Sequence, residues 1–326
     1  MSADISGVPV TERGSSFLLA LGALAIALVT LPCRAQIVGP ATPSRPLVRP
    51  IQVDVEMVLV NVTVTDFEDR LVLGLSKDNF RLFENEVEQE VLTFSQEDSP
   101  MSIGLLFDLS TSMIDKIDKA RQAALQMLKT ANPADEFFLV SFSDHAELTS
   151  GFTSDLQELQ SRMLATVPKG HTALLDAIHM GTQEMKNARY RRRALVVISD
   201  GGDNHSRYHE ARIRSELKEA DCQLYAMGLY DDEDMKRTPE ERKGPALLSD
   251  LADLTGGRAF RVSKVEELPE VAAKINMELR DQYVLGYKPT GHHDGAWRNL
   301  KVKVDSSASQ PPIHVYNRNG YYSRID

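Results

Sequence analysis

The hydrophobic pattern first becomes informative over residues 101–107, an apolar segment bounded by Pro100 and by a polar cluster that begins at Asp108. Short apolar runs of this kind are typical of strands buried on both faces. From Met113 onward the apolar residues recur at helical spacing: Ile114, Ile117, Ala120, Ala124, Leu125 and Leu128. The pattern therefore predicts a strand, a polar loop and a helix in succession.

The same alternation of strand and helix patterns continues to about residue 279. It predicts strands at 137–142, 194–199, 222–229 and 258–261, and helices at 155–164, 172–188, 209–220, 246–254 and 265–279. Strands that alternate with helices in this way form a parallel sheet covered on both faces. We therefore expect an α/β fold that is doubly wound and Rossmann-like, with a mostly parallel sheet.

Strand-like segments flank this region on both sides. On the N-terminal side, residues 51–64 alternate with a change of parity that predicts a bulge near Met57. Further strands are predicted at 80–83 and 91–94 around a turn at 84–86, and at 281–287, 297–304 and 313–316. We expect the two flanks to pair into one small β-sandwich-like module, with the α/β domain inserted between them. The alternative is two separate hairpins packed on the α/β domain.

The N-terminal segment contains an uninterrupted apolar run at residues 17–31. The run is shorter than a bilayer span and has the length of a signal-peptide core. Cys33 and Ala35 fit a cleavage site before Gln36, which predicts removal of this segment and export to the periplasm, the cell surface or the medium. The alternative is an uncleaved membrane anchor, because Arg13 is the single basic residue ahead of the run.

These patterns together predict the organisation of the chain. Residues 36–50 contain four prolines and few bulky apolar residues, which indicates a linker. The predicted limits are 1–35 for the signal peptide, 36–50 for the linker, 51–98 for the N-terminal β segment, 99–279 for the α/β domain and 280–326 for the C-terminal β segment.

Composition narrows the class of protein further. A chain of 326 residues with 42% hydrophobic content can bury one large core and one small one. The excess of 47 Asp and Glu over 37 Lys and Arg disfavours nucleic acid as a partner. Cleavage before Gln36 would leave Cys222 as the remaining cysteine, in a strand-like segment, so we expect a buried and inert thiol.

Candidate chemistry lies where the predicted strands end. Asp108, Ser110 and Ser112 follow the first strand of the α/β region, and ligands bind at this edge of open α/β sheets. One carboxylate and two hydroxyls suit a hard cation such as Mg²⁺ better than zinc. Thr172 just before a helix and Asp200 at the end of another strand can supply further oxygens at the same edge. Helix capping alone is the alternative role for such residues, but three loops in order favour a metal site.

Through these residues, the chain resembles the von Willebrand factor A domain and its metal-ion-dependent adhesion site. The family's Asp-x-Ser-x-Ser motif matches Asp108, Ser110 and Ser112, its separate threonine matches Thr172, and its second aspartate matches Asp200. The resemblance extends over residues 101–279, and the flanks resemble a bacterial group of secreted proteins with related domains.

The resemblance implies a bound Mg²⁺, or Mn²⁺ or Ca²⁺, with a free position that a partner protein fills with an Asp or Glu carboxylate. It thus predicts an exported adhesion or protein-binding module without catalysis, which contacts a membrane only if its N-terminal segment stays uncleaved. An envelope scaffold whose site recognises nothing is one alternative. A phosphatase-like hydrolase using Asp108 is another, disfavoured because that pattern requires an aspartate where Ser110 stands.

Histidines near the same edge make a weak case for zinc. His171, His205 and His209 occur without paired cysteines or His-x-x-x-His spacing. Asp144 and His145 are expected in a solvated loop after the second strand.

Overall fold

The computed structural model describes residues 57–96, 98–230, 239–291, 294–305 and 312–325. The predicted signal peptide, the linker and the beginning of the first predicted strand lie outside the described residues. The domain limits stated above remain predictions.

Strands and helices follow one another along the described chain within these bounds. The strands are β1 (Val58–Asp66), β2 (Phe80–Glu84), β3 (Val87–Gln89), β4 (Thr93–Ser95), β5 (Met101–Asp108), β6 (Glu136–Phe142), β7 (Ala146–Thr153), β8 (Arg192–Ser199), β9 (Gln223–Leu229), β10 (Ala259–Val262), β11 (Tyr283–Tyr287), β12 (Trp297–Val304), β13 (Ile313–Asn317) and β14 (Gly320–Tyr322). The helices are α1 (Ile117–Lys129), α2 (Leu156–Leu164), α3 (Leu174–Glu184), α4 (Glu210–Glu219), α5 (Pro239–Thr255) and α6 (Leu268–Arg280).

The central sheet has the strand order β10-β9-β8-β5-β6-β7. All neighbours run parallel except β7, which pairs antiparallel with β6 at one edge. All eight residues of β5 are buried, because this strand lies inside the sheet and helices cover both faces. The predicted doubly wound α/β fold with a mostly parallel sheet is confirmed.

Helices pack on the two faces of the sheet in two groups. Side chains of α1, α2 and α6 form one core with Ile103 and Leu105 of β5. Side chains of α3, α4 and α5 form the other core with Leu106. Because successive side chains of a strand point to opposite faces, β5 contributes to both cores and holds its C-terminal end in a fixed position.

The flanking strands form two four-stranded sheets in the orders β13-β1-β11-β4 and β14-β12-β2-β3. Strand β1 lies between β11 and β13 and pairs antiparallel with both. Val62 from β1, Leu82 from β2 and Tyr287 from β11 lie in one shared core, so the two sheets pack as a sandwich. The prediction that both ends of the chain combine into one β module is confirmed, and the alternative of separate hairpins is wrong.

A buried ion pair connects the sandwich to the α/β domain. Arg258 contacts Glu278 of α6 and Asp69, which follows β1. Lys274 also reaches Asp69, with 2.6 Å between Nζ and Oδ2. Burial raises the pKa of Glu278 to about 7, although the adjacent Arg258 acts to lower it. These charges fix the last helix of the domain against the loop after β1.

The structure differs from the sequence-based prediction at several element boundaries. The predicted strand at 91–94 corresponds to β4, which spans Thr93–Ser95. The hairpin partner of β2 is instead β3, and Asn85 and Glu86 in the turn between them have positive φ. Strands β3, β7 and β14 were not predicted. The helix predicted from residue 172 begins at Leu174, which leaves Thr172 in the preceding loop. Within the described residues, no helix has the length and apolarity needed to cross a bilayer.

Candidate metal centre

The candidate centre lies at the edge of the sheet where β5, β6 and β8 end. Strand β5 pairs in parallel with both β6 and β8, so the loops that follow the three strands meet at one edge. Asp108 is the last residue of β5, and Asp200 directly follows β8. The structure thus places both predicted aspartates on neighbouring strands, as the alternation of strands and helices indicated.

Asp108 is fully buried and accepts hydrogen bonds at both carboxylate oxygens. Oδ1 accepts from the backbone N–H of Ser110 at 2.8 Å, and Oδ2 accepts from the hydroxyl of Ser199 at 2.5 Å. The hydroxyls of Ser110 and Ser112 lie 3.0 Å apart. The Asp-x-Ser-x-Ser stretch therefore folds into a tight loop that brings oxygen atoms together. Its last serine, Ser112, lies in a short 3₁₀ turn at Thr111–Met113 that leads towards α1.

Asp200 is 8% exposed, and its Oδ1 is a buried oxygen without a hydrogen-bond partner. Its Oδ2 lies 3.6 Å from Nζ of Lys116. Burial and the neighbouring charge of Asp200 raise the pKa of Asp108 to about 7, although hydrogen bonds from Ser110 and Ser199 act to lower it. Two carboxylates in a buried site repel one another, and a buried carboxylate oxygen without a hydrogen-bond partner destabilises the fold. A bound cation would remove both sources of instability.

Backbone hydrogen bonds attach the Thr172 loop to the Asp108 loop. The N–H of Lys169 donates to the carbonyl of Leu109 at 2.7 Å, and the N–H of Thr111 donates to the carbonyl of Gly170 at 3.1 Å. Thr172 is 4% exposed and donates its backbone N–H to Asn204 Oδ1 at 2.9 Å. The structure therefore brings the loops of all five predicted residues to one edge. That these five side chains bind a metal remains a prediction.

The site also involves residues that the sequence did not single out. Ser199 was predicted only as the end of a strand, yet its hydroxyl binds Asp108. Its position directly before Asp200, on a strand parallel to β5, is the signal that could have pointed to it. Lys116 comes four residues after Ser112 and gave no comparable signal, because a lysine at the start of a helix is ordinarily solvated.

The residues present fit a hard divalent cation. Carboxylates and hydroxyls are oxygen ligands, the type that Mg²⁺ and Ca²⁺ take in proteins. The buried Oδ1 of Asp200 lacks a hydrogen-bond partner, and the carboxylate of Asp108 repels that of Asp200. Both features are expected of a site that binds a cation.

Comparison with known proteins shows which domain family this part of the chain matches. Residues 103–202 match the von Willebrand factor type A domain. The chain contains a von Willebrand factor type A domain. The matched residues of this VWA domain extend from within β5 to just beyond Asp200. No curated protein matches the sequence.

Solved structures of other proteins resemble the chain at low sequence identity. A von Willebrand factor type A protein from Catenulispora acidiphila is 11% identical, with a TM-score of 0.50, and the match covers 84% of this chain and 75% of that one. BatB from Bacteroides thetaiotaomicron is 18% identical, with a TM-score of 0.43 and coverage of 55% and 98%. Proximal thread matrix protein 1 from the mussel byssus, solved with a zinc-occupied MIDAS motif, is 16% identical, with a TM-score of 0.49 and coverage of 60% and 50%. The Catenulispora structure supports the VWA fold.

Proposed function

We propose that the protein is a divalent-metal-dependent protein-binding module. The cation, Mg²⁺ or alternatively Mn²⁺ or Ca²⁺, is held by Asp108, Ser110, Ser112, Thr172 and Asp200. The observation that carries this proposal is the unpartnered oxygen of Asp200 in a buried site next to Asp108. A family whose domains commonly mediate metal-dependent protein contacts gives the proposal further support.

The bound cation supplies a centre of positive charge for a carboxylate ligand. Mg²⁺ prefers octahedral coordination by oxygen, and these side chains do not fill every position. An Asp or Glu of a partner protein occupies the remaining position in this proposal. Ser110 and Ser112 contribute neutral oxygens, so the charge of the cation is balanced by the two aspartates and by the incoming ligand.

A hydrolase that uses Asp108 as its nucleophile is disfavoured by the local geometry. The carboxylate is fully buried, and both of its oxygens already accept hydrogen bonds, from Ser110 and Ser199. A nucleophilic oxygen needs access to a substrate. We therefore propose binding without catalysis. A scaffold whose site recognises nothing is the remaining alternative, and the following experiments separate it from a binding module.

The first experiment is a thermal melt of the protein in EDTA and then in increasing Mg²⁺ or Mn²⁺. A cation that binds only the folded state stabilises it by about 2.7 kcal/mol at about 100 times its Kd. Ser110→Ala and Asp200→Ala should lose the metal-dependent rise in Tm. Thr111→Ala is the matched control, because this hydroxyl lies in the same loop but donates to the carbonyl of Gly170. Absence of a rise in the wild type would refute the metal site.

The second experiment tests recognition of carboxylates. Immobilised protein is probed in Mg²⁺ with acidic peptides and with matched peptides that carry Asn and Gln in place of Asp and Glu. Binding that requires both the metal and the carboxylates supports the module. Metal binding without any carboxylate preference would favour the scaffold.

We also propose that the protein is exported, on the basis of the apolar run at residues 17–31 and the small residues before Gln36. N-terminal sequencing of the protein from its native host tests this proposal. A mature chain that begins at Gln36 is expected, whereas an intact N-terminus on a membrane-bound protein would favour an anchor.

A further inference from the structure

Three side chains from separate loops form a cluster on the surface of the VWA domain. They are Asp144 between β6 and β7, His171 in the loop before α3, and His205 in the loop after β8. Each offers one ligand atom, and these atoms all lie within 4.8 Å of one another. Nδ1 of His171 lies 2.7 Å from Oδ1 of Asp144, and the two imidazole rings stack with their centroids 4.8 Å apart.

Backbone hydrogen bonds hold the two histidine loops together. The carbonyl of Thr172 accepts from the N–H groups of both Asn204 and His205, at 3.0 Å and 3.1 Å. The side chain of Asn204 in turn accepts from the N–H of Thr172. These bonds involve His205 and the neighbour of His171, so the backbone holds the two histidines close together.

Asp144 is positioned by the backbone of the His171 loop. Its Oδ1 accepts from the N–H of His171 at 2.8 Å. Gly170 has a φ of +80°, and a Cβ at that position would lie 2.5 Å from the Asp144 carboxylate. The loop therefore uses a glycine where any side chain would displace Asp144.

We propose that Asp144, His171 and His205 form a second metal site, which binds Zn²⁺. Two imidazoles and one carboxylate are ligands that zinc favours, and three protein ligands leave a fourth position open. The entering ion takes the place of the proton between Nδ1 of His171 and Asp144, and the imidazole keeps its proton on Nε2, so that each of the two residues bonds to the metal. The side chains of His171 and Asp144 are 63% and 45% exposed, so the ion can enter from solvent and the open position can take an outside ligand.

This site differs in chemistry from the one at Asp108. The Asp108 set consists of oxygen atoms only, whereas the surface cluster offers two nitrogens. Excess Mg²⁺ is therefore expected to fill the oxygen site and leave the histidine cluster to zinc.

The test is a calorimetric titration of the full chain with Zn²⁺ in the presence of excess Mg²⁺. His292 and His293 are adjacent in the sequence and offer a separate pair of nitrogens, so both are replaced by alanine in every variant, including the reference. We expect the reference protein to bind one Zn²⁺ per chain at the cluster. Co²⁺ in place of Zn²⁺ should give the visible absorption bands of a four-coordinate site.

His171→Ala, His205→Ala and Asp144→Ala should each weaken zinc binding at least tenfold, because each removes one of the three protein ligands. His209→Ala is the matched control, because this exposed histidine precedes α4 outside the cluster and should leave the affinity unchanged. Melting curves in EDTA show that each variant is folded. Equal zinc affinity in all these proteins would overturn the proposal. It would also be overturned if Asp108→Ala abolished zinc binding while His171→Ala preserved it, since that result would place zinc at the oxygen site.

Discussion

Replacing Asp108 by asparagine is predicted to stabilise the metal-free protein while abolishing its response to Mg²⁺. The pKa of Asp108 is raised from 3.8 to about 7 by burial and by the charge of Asp200. A tenfold change in a proton equilibrium is worth about 1.4 kcal/mol, so ionised Asp108 destabilises the metal-free fold by about 4 kcal/mol above pH 7. Asparagine has nearly the same shape and carries no charge.

Part of this gain is lost because the amide of asparagine has one acceptor oxygen where the carboxylate has two. Either the backbone N–H of Ser110 or the hydroxyl of Ser199 then loses its acceptor, which costs about 2 kcal/mol for a buried donor. The net stabilisation of Asp108→Asn is therefore about 2 kcal/mol. At about 2–4 °C for each kcal/mol, Tm rises by about 4–8 °C in EDTA at pH 8.

The dependence on pH provides an independent check. Because the pKa is higher in the folded state, the contribution of Asp108 to stability is largest below pH 3.8 and is lost as the pH rises towards 7. At pH 5 the penalty on the wild type is about 2 kcal/mol by the same conversion, close to the cost of the lost acceptor. The advantage of the variant should therefore disappear at pH 5.

Melting curves in EDTA at pH 8 and pH 5, followed by Mg²⁺ titration at pH 8, test this prediction. Asp135→Asn is a suitable control, because Asp135 is also buried but is paired with Arg280, and its replacement should lower Tm at pH 8. If Asp108→Asn melts below the wild type in EDTA at pH 8, then repulsion between the two aspartates does not dominate the empty site, and the electrostatic reasoning is wrong.

Other predictions concern the cysteine, the buried ion pair and the lysine near the site. Cys222 is buried, and burial raises the pKa of its thiol to about 12. We therefore expect thiol reagents to modify Cys222 only when denaturant unfolds the protein, and rapid labelling of the native protein would contradict this. Arg258→Met leaves the buried carboxylate of Glu278 without its partner and should lower the free energy of unfolding in urea by about 3–5 kcal/mol. A decrease below about 1 kcal/mol would show that the ion pair contributes little to stability. Lys116→Met removes a positive charge 3.6 Å from Asp200 and should strengthen Mg²⁺ binding in calorimetry; weaker binding would show that Lys116 supports the site.

The order of strands and helices could be predicted from the sequence because buried parallel strands give strong apolar runs. Strand β5 is buried at every position, and its end at Asp108 followed directly from the pattern. Strand β7 lies at the edge of the sheet with mostly exposed or half-buried residues, so it gives no such run. The start of α3 was placed too early because Ala173, the residue before the helix, provides no side-chain cap that would mark the boundary.

The two groups of candidate ligands differ in how far the sequence revealed them. The loops of Asp108 and Asp200 end neighbouring parallel strands, so their proximity follows from the topology. The proximity of Asp144, His171 and His205 depends on how three loops bend beyond the strand ends, which includes the positive φ of Gly170. No periodic pattern encodes such bends. Spacing rules for zinc sites therefore missed a cluster that only tertiary structure assembles.

The position of β1 between β11 and β13 has a consequence for how the protein is made. During synthesis, β1 emerges early, but both of its neighbours follow the whole VWA domain, and β13 ends at Asn317. The alternating strand and helix contacts of the VWA domain can form first, whereas the sandwich requires pairing across more than two hundred residues of chain, as between Val62 and Tyr283. Until that pairing occurs, β1 presents two unpaired edges, which are prone to association with other chains. We therefore expect the sandwich to close last and the nascent chain to need protection of β1 until β11 and β13 have emerged.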